Sequence, residues 1–469
     1  MTIPILTFLL SELAAASALA ARSRRAVHFA GLVFYLVQAA FAAWLFAAGG
    51  YGSTVGTLFA FDAAGSLFYL LLVVVSFWVF HHSETYLSEC DLRQTRTYFA
   101  LVMLLTVAIA GAYFAANMAV TWIFLEATTL CSAGIIYHRR TAQTLEAAWK
   151  YVFVCSTGIA MAYLGILLLA AATRCESLSY EAVAAVAAHG NPLYLKMAFL
   201  LILCGYSCKM ELFPLYTVGV DANFAAPAPA AALISTGLVN AGFLAILRVY
   251  RLTAGTEVFG WVKSVLLLVG VLSLVIGALF LRRTNNYKRF LSYSTVENMG
   301  IAAIGLGIGG AGVWAAVFHV VCHTFVKSSL FLQMGVVRQV YDGYRINRLG
   351  DYIRINRVGA VGLLVGMVVV MAFPPSPLFI SELMILKETI AAGKWWLAGC
   401  MLLLLCIVIY SFCLRMLRLC YQPNQDELHP SKADKVLSWS ALSLLIAAMI
   451  LGLWQPELLR NVIDQIAAL

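Results

Sequence analysis

The amino-acid sequence predicts an all-α polytopic membrane protein with about fourteen transmembrane helices. Of its 469 residues, 62% are hydrophobic and only 11% are charged, and the mean hydropathy is +0.89. Soluble domains carry charge on about a quarter of their residues, so water could not solvate a chain of this composition. The apolar runs last about 20 residues, which is the length of a helix that crosses a bilayer core. Strands of a membrane β-barrel would alternate polar and apolar residues instead.

The predicted membrane-spanning segments follow one another along the whole chain with short polar gaps between them. They cover residues 3–21, 26–48, 60–82, 97–115, 117–138, 146–172, 193–219, 227–250, 261–282, 289–310, 312–338, 358–391, 394–420 and 436–455. We therefore expect a single membrane domain over 1–469. Its predicted parts are N-terminal helices 1–3 (1–96), a first repeat of helices 4–8 (97–250), a second repeat of helices 9–13 (261–420) and a C-terminal helix (436–469).

The basic residues are distributed unequally between alternate loops, which predicts the orientation of the chain. Twenty of them lie in one set of loops and five in the other, and cytoplasmic loops carry the excess of Lys and Arg. Both termini are therefore predicted to be non-cytoplasmic. The first set is Arg22, Arg24, Arg25, Arg93, Arg96, Arg139, Arg140, Arg282, Arg283, Lys288, Arg289, Arg338, Arg345, Arg348, Arg354, Arg357, Arg415, Arg418, Lys432 and Lys435, and the second is Arg174, Arg248, Arg251, Lys394 and Arg460.

Two predicted segments contain helix breakers. The seventh holds Pro214 close to Lys209 and Glu211, and the twelfth holds three prolines within 374–377. Proline removes a backbone donor, and within a bilayer the freed groups must be satisfied by protein or water. Breaks five segments apart, in segments of opposite orientation, are typical of two inverted five-helix repeats with broken helices 7 and 12.

Ionisable residues within the apolar segments are the candidate functional residues, because each one costs about 2.5–3.5 kcal/mol at the bilayer centre. His319, His323 and Lys327 recur every four residues and share one helix face. This pattern favours a proton relay over structural hydrogen bonding or a metal site, for which no third ligand is evident. The predicted proton pathway comprises Glu126, Lys209, His319, His323, Lys327 and Glu382, and the secondary candidates are Glu146, Lys150, Glu211, Asn240, Glu297 and Lys387.

Two pairs of oppositely charged residues are expected among these candidates. Glu126 and Lys209 carry opposite charges in different apolar segments, so we expect them to form a pair that switches during proton transfer. Glu146 and Lys150 are four residues apart at the start of the sixth segment. They are predicted either to form a helix-surface ion pair or to mark a proton entrance.

The sequence contains no dinucleotide fingerprint, P-loop, haem-attachment motif or C-x-x-C pair. We therefore expect no cofactor and no metal in this chain, and we expect any redox centre to belong to a partner protein. The eleven cysteines lie mostly inside apolar runs, where cysteine acts as a small core residue.

Several stretches make the sequence resemble the proton-translocating, antiporter-like subunits of respiratory complex I and of membrane-bound group 4 hydrogenases, which are related to cation/proton antiporter subunits. The resemblance spans roughly residues 60–420 and is carried by WIFLEATTLCSAG, TLEAAWKYVFVCSTG, CKMELFPLYTVGVDANFAAPAPAAALISTG, YSTVENMGIAAIGLG, HVVCHTFVKSSLFL and FPPSPLFISELMIL. The last stretch, with its FISE core, is most similar to component F of hydrogenase-4-type complexes.

The resemblance implies working residues at matching positions. The segment-five glutamate of the family falls on Glu126, the segment-seven lysine on Lys209 and the terminal group of segment twelve on Glu382. The segment-eleven histidines and lysine fall on His319, His323 and Lys327. A proton would pass from the cytoplasm to Lys209, along polar groups near Asn240 to segment eleven, and out past Glu382.

One position departs from the family pattern. Many members carry a lysine or histidine in segment eight, whereas this chain offers only Ser235, Thr236 and Asn240 there. Water or polar groups are expected to bridge that position.

The resemblance also implies partners and a location. The expected partners are other membrane subunits, both antiporter-like subunits and those that anchor a quinone or hydrogenase module, together with a peripheral redox arm containing Fe–S clusters. The expected location is the bacterial inner membrane. The alternatives are a Na⁺/H⁺ antiporter-type subunit, a coupling subunit for inorganic-carbon uptake, and a scaffold whose polar residues only pack.

Overall fold

In the computed structural model, the described residues are 2–47, 49–341, 343–423 and 433–468, and almost all of them are helical. Lys432, one of the basic residues that predict orientation, lies outside the described residues. Within the described residues, twelve helices are long and apolar enough to cross a membrane. The chain is therefore an all-α, multi-pass membrane protein, as predicted.

The helices group into two compact units, residues 1–264 and 265–468. The first unit contains α1 Thr2–Ala20, α2 Arg24–Ala47, α3 Ala63–Tyr86, α4 Leu92–Phe114, α5 Met118–Ile136, α6 Ala142–Thr173, α7 Tyr180–Ala187, α8 Pro192–Met210, α9 Thr217–Ala225, α10 Ala228–Leu233 and α11 Val239–Thr253. Helix α12 Phe259–Arg283 begins in the first unit and continues into the second. The second unit then contains α13 Tyr287–Ile308, α14 Ala311–Tyr341, α15 Tyr352–Ile355, α16 Arg357–Val370, α17 Pro377–Ala391, α18 Trp395–Tyr421, α19 Lys435–Leu453 and α20 Glu457–Ala467.

Polar residues in the loops determine where many of the long helices begin. The side chains of Asp62, Asn117, Asn191 and Asn286 each accept a hydrogen bond from a backbone N–H in the first turn of α3, α5, α8 and α13. Such caps satisfy N–H groups that have no partner within the helix. At α6, Thr141 and Thr144 form a reciprocal capping box.

Small residues let neighbouring helices approach closely. A Cβ atom on Gly205 of α8 would lie 2.3 Å from the carbonyl oxygen of Gly158 on α6. In the second unit, a Cβ on Gly270 of α12 would lie 2.7 Å from the carbonyl oxygen of Gly300 on α13. Contacts of this kind replace the hydrophobic driving force, which is absent between helices in lipid.

Both predicted helix breaks are present. The seventh predicted segment forms α8 and α9, separated by residues 211–216, and the twelfth forms α16 and α17, separated by 371–376. Helices α10 and α11 are joined by a π-helical turn at Ile234–Leu238, so the eighth predicted segment runs through without a break. The two inverted repeats, residues 97–250 and 261–420, remain a prediction.

Several small elements were not predicted from the sequence, among them the four-residue helix α15. Strands β1 Thr54–Val55 and β2 Phe59–Ala60 form an antiparallel hairpin before α3. Helix α7 lies between α6 and α8, and α20 follows Pro456 after the last long helix. All are short, and none has the length of a bilayer-crossing helix.

Candidate functional site

Lys209 lies in the last turn of α8, next to the helix break, and its side chain is buried. The helix ends because Glu211 adopts the left-handed conformation, with φ at 55°, and its N–H donates to the carbonyl of Ser207. A non-glycine residue in this region is uncommon, so the turn is a specific feature of the break. The break leaves the Lys209 side chain facing α5 and α6.

Hydroxyl groups surround the Lys209 ammonium. Its Nζ donates to Thr129 Oγ1 at 2.9 Å and to the Tyr151 hydroxyl at 3.4 Å. The Thr129 hydroxyl in turn donates to Glu126 Oε2 at 3.3 Å, and Ser156 donates to Glu126 Oε1 at 2.6 Å. The four groups that connect to Lys209 therefore come from α5 and α6.

The expected Glu126–Lys209 pair is present only indirectly. No nitrogen–oxygen distance of 4.0 Å or less joins these two described side chains, and the Thr129 hydroxyl lies between them. The reason is local, because Thr129 is three residues after Glu126 and shares its helix face. Both side chains belong to one hydrogen-bonded group with Thr129 between them, and a pairing that switches during proton transfer remains a prediction.

Helix α11 packs directly on the backbone at Lys209. A Cβ on Gly242 would lie 2.5 Å from the backbone nitrogen of Met210 and 2.8 Å from the carbonyl carbon of Lys209. Asn240 is buried two residues earlier and hydrogen-bonds the Tyr113 hydroxyl, which donates to the Gly237 carbonyl at 2.7 Å. Asn240 therefore lies on the helix that covers Lys209, whereas Ser235 and Thr236 lie in the π-helical turn that precedes it.

The secondary candidates of the first unit fall into two environments. Glu211 is buried, and its Oε1 accepts a hydrogen bond from Asn223 Nδ2 at 2.7 Å. Glu146 and Lys150 form an ion pair near the start of α6, and both side chains are more than half exposed. The structure therefore contains the helix-surface pair, and a role as proton entrance remains a prediction.

Helix α14 carries the other group of candidates, in the second unit. His319, His323 and Lys327 are all completely buried. His319 Nδ1 lies 2.9 Å from Ser381 Oγ on α17, and Lys327 Nζ donates to the Leu291 carbonyl on α13 at 2.9 Å. The stripe predicted from the four-residue spacing is therefore an interior face that contacts two other helices.

His323 has unusual surroundings. Neither of its ring nitrogens has a hydrogen-bond partner among the described residues, and the ring is fully buried. Buried polar atoms are nearly always hydrogen-bonded to protein or to ordered water. The described residues supply no partner for either ring nitrogen, and ordered water is the usual partner of such buried polar groups.

Two carboxylates accompany this stripe. Glu297 on α13 is buried, accepts a hydrogen bond from Asn298 Nδ2 at 2.6 Å and lies within electrostatic range of Lys327. Glu382 on α17 is also buried and lies within range of Glu297. Lys387, in contrast, is exposed, so the structure does not bring it into this group.

Comparison with known proteins identifies the family. The chain matches the family described as NADH:quinone oxidoreductase/Mrp antiporter, TM, over residues 115–408. The chain belongs to this family. The match includes every predicted pathway residue, from Glu126 to Glu382.

Curated relatives extend the match beyond that region. The chain is 27% identical over 406 residues to a hydrogenase-4 component F homolog of Methylacidiphilum infernorum (isolate V4), covering 84% of this chain and 85% of the relative. It is 28% identical over 356 residues to NADH-quinone oxidoreductase subunit N of Ectopseudomonas mendocina (strain ymp), covering 73% and 70%. These relatives confirm the resemblance to antiporter-like subunits of complex I and group 4 hydrogenases.

Solved structures share the fold. A chain of the archaeal membrane-bound sulfane sulfur reductase matches with a TM-score of 0.85 at 22% identity, covering 100% of this chain and 96% of that one. A chain of the Mrp complex from Dietzia sp. DQ12-45-1b matches with a TM-score of 0.86 at 18% identity, covering 100% and 97%. Respiratory complex I from Thermus thermophilus also contains a matching chain, with a TM-score of 0.81 at 22% identity, covering 97% of both chains.

Sequence reasoning missed the hydroxyl and amide groups that connect the titratable residues. These partners are uncharged, so neither hydropathy nor charge spacing distinguishes them from packing residues. They are Thr129, Tyr151, Ser156, Asn223, Asn298 and Ser381. Three of them could have been suspected from position, because Thr129 lies one turn after Glu126, and Asn298 and Ser381 adjoin Glu297 and Glu382.

Proposed function

We propose that this chain is a proton-translocating subunit of a redox-driven membrane complex of the complex I or membrane-bound hydrogenase type. Membership of the antiporter-like family supports this function. The observation that carries the proposal is the surroundings of Lys209, which is buried and hydrogen-bonded to two hydroxyl groups, with no carboxylate of the described residues within 4.0 Å of its ammonium. A buried ammonium without a counter-ion is costly, and releasing its proton removes that cost.

Thr129 provides a route for that proton. Its hydroxyl oxygen accepts a hydrogen bond from Lys209, and its single hydroxyl proton lies within reach of Glu126 Oε2 at 3.3 Å and of the Leu125 carbonyl at 3.4 Å. When Lys209 gives a proton to Thr129 Oγ1, the hydroxyl can pass its own proton to Glu126. Lys209 then becomes neutral, Glu126 becomes neutral, and Thr129 is unchanged. The transfer neutralises two charges in a region of low dielectric. Because nearby charges shift the pKa of such groups, a change in the charge of a neighbouring group can reverse the transfer.

In the second unit, we propose that the α14 stripe carries protons between water molecules and side chains. His319 contacts Ser381, the ring nitrogens of His323 have no hydrogen-bond partner among the described residues, and Lys327 lies near Glu297. Imidazole can accept a proton on one nitrogen and release one from the other, which suits relay between sites one turn apart. Passage from Lys209 by way of Asn240 to this stripe, and release past Glu382, remain part of the proposal.

The energy source is expected to lie in partner proteins. The solved relatives belong to multi-subunit membrane complexes, which supports other membrane subunits as partners. We propose in addition a peripheral arm with Fe–S clusters, a location in the bacterial inner membrane and non-cytoplasmic termini.

The proposal is tested by purifying the complex through a tag on this chain and reconstituting it in proteoliposomes. We expect co-purifying subunits with Fe–S clusters, and proton uptake that depends on electron transfer and proceeds without Na⁺. Na⁺/H⁺ exchange by a complex that lacks redox subunits would overturn the proposal in favour of a cation antiporter.

A further inference from the structure

Glu12 is a carboxylate in the middle of the membrane-spanning helix α1, and it has no part in the proton pathway proposed above. At 1.5 Å per residue, it lies about 15 Å along α1 from Thr2 and about 12 Å from Ala20, which places it near the bilayer midplane. It is half-buried, and it makes no hydrogen bond or ion pair with any described residue. A carboxylate at this depth requires a partner.

The surface around Glu12 is otherwise apolar. Ile5, Phe8, Leu9 and Leu13 are each between 44% and 64% exposed, and together with Glu12 they form what we call the Glu12 face of α1. The opposite side of α1 carries small residues and packs against α2 and α4. Lipid chains could cover the apolar residues, but they have no donor for the carboxylate.

A cavity of about 250 Å³ opens beside this face, one to two turns from Glu12 toward the start of α1. Ile5, Phe8 and Leu9 line it on one side, and Phe124 of α5 lines it on the other. The cavity wall is effectively apolar, because its polar side chains hydrogen-bond to one another or to backbone carbonyls; they are Thr7, Ser11, Gln38 and Tyr69. Such a cavity accepts an aliphatic or aromatic side chain.

We propose that the Glu12 face docks a transmembrane helix of another membrane subunit, whose Lys, Arg or His side chain pairs with Glu12. A large apolar side chain of the same helix, one to two turns from the basic residue, would fill the cavity. Charge complementarity favours this occupant. A carboxylate and a basic side chain are each costly alone at the bilayer midplane, and each lowers the cost of the other when they pair. The proposal rests on the proposed function only in requiring a multi-subunit complex.

The test uses the purified complex with a photo-crosslinking amino acid at position 13, next to Glu12 on the Glu12 face. We expect the crosslinked peptide to be a transmembrane segment of a co-purified subunit with a basic residue within one turn of the crosslink. Crosslinks to lipid alone, or to a segment without a basic residue, would overturn the proposal.

Substitutions test the carboxylate itself. Glu12→Leu should lower the molar amount of that subunit retained in the complex about tenfold, equivalent to about 1.4 kcal/mol. Glu12→Gln should lower it less, because the amide still accepts a hydrogen bond. Leu13→Ile is the matched control and should retain the subunit fully, because the face stays apolar. Monodisperse elution of the isolated Glu12→Leu chain shows that it is folded.

The outcome is separable from that for proton pumping. Retention and crosslinking are measured without turnover, so they report docking even if the complex moves no protons. Full retention of the subunit by Glu12→Leu would remove Glu12 from the interface, whatever the pumping activity. Loss of retention in a complex that exchanges Na⁺ would support docking and contradict only the proposed function.

Discussion

Among the described residues, the Thr129 hydroxyl alone connects Lys209 to Glu126 by hydrogen bonds, so its removal is the sharpest perturbation of the proposed transfer. Thr129→Val keeps the shape of the side chain and deletes one oxygen that accepts from the ammonium at 2.9 Å and donates to the carboxylate at 3.3 Å. Lys209 would retain only the longer bond to Tyr151. We expect the subunit to assemble normally and to pump slowly.

The magnitude follows from the bond that is lost. A hydrogen bond to a charged group contributes about 1.5–3 kcal/mol, and each 1.4 kcal/mol added to a barrier slows a step tenfold. Proton pumping should therefore fall roughly tenfold to one-hundred-fold if transfer through Thr129 limits the rate. The assay is redox-driven proton uptake by proteoliposomes, normalised to the amount of assembled subunit.

Thr128→Val is the matched control. Thr128 is buried on the same helix, but its hydroxyl donates only to the Leu125 carbonyl of its own helix, at 2.6 Å. Pumping should be nearly unchanged in this variant, and Thr129→Ser, which restores the hydroxyl, should recover most of the activity. Equal pumping by Thr129→Val and Thr128→Val would refute the role of the hydroxyl link.

Three further predictions concern other parts of the structure. Replacing both His319 and His323 with Gln should abolish most pumping while the complex still assembles, and normal pumping in that variant would exclude the α14 stripe from the proton path. Gly242→Ala should lower the thermal midpoint of the purified chain by several degrees, because its new Cβ would lie 2.5 Å from the Met210 backbone, at a cost of about 1–3 kcal/mol. Gly399→Ala, with open space around its Cβ, should not lower the midpoint, and equal shifts in the two variants would contradict the packing argument. A reporter fused after Leu469 should read as non-cytoplasmic by alkaline phosphatase activity, and cytoplasmic activity would contradict the predicted orientation.

Much of the fold could be predicted because hydropathy reports burial in lipid directly. Runs of about 20 apolar residues predicted the long helices, and the prolines near 214 and 374–377 predicted the two breaks. Helix α13 differs from the other predicted spans. The sequence predicts a membrane span there, but polar residues lower the hydropathy of α13 below that of the twelve membrane-length helices. The hairpin at 54–60 escaped prediction because strands of two residues leave almost no periodic signal.

The sequence predicted the charged residues of the site but not the neutral residues that hydrogen-bond to them. Lys209, His319, His323 and Lys327 stand out because charge is rare in apolar segments. Their geometry could not be predicted, since whether a threonine or a carboxylate reaches Lys209 depends on how α5 rotates against α8. That rotation depends on packing rather than on the charges, because α8 packs closely on α6 through Gly205 and Gly158, and α6 in turn packs against α5.

The proton-releasing role of Lys209 is the central claim, and Lys209→Arg tests it most directly. Arginine preserves a positive charge and a hydrogen-bond donor near Thr129, but its guanidinium does not release a proton in any useful pH range. The measurement is redox-driven proton uptake by the reconstituted complex, with assembly quantified in the same preparation. We predict full assembly with pumping reduced at least about one-hundred-fold. Pumping at the level of the unmodified complex would contradict the claim and leave Lys209 as a structural cation.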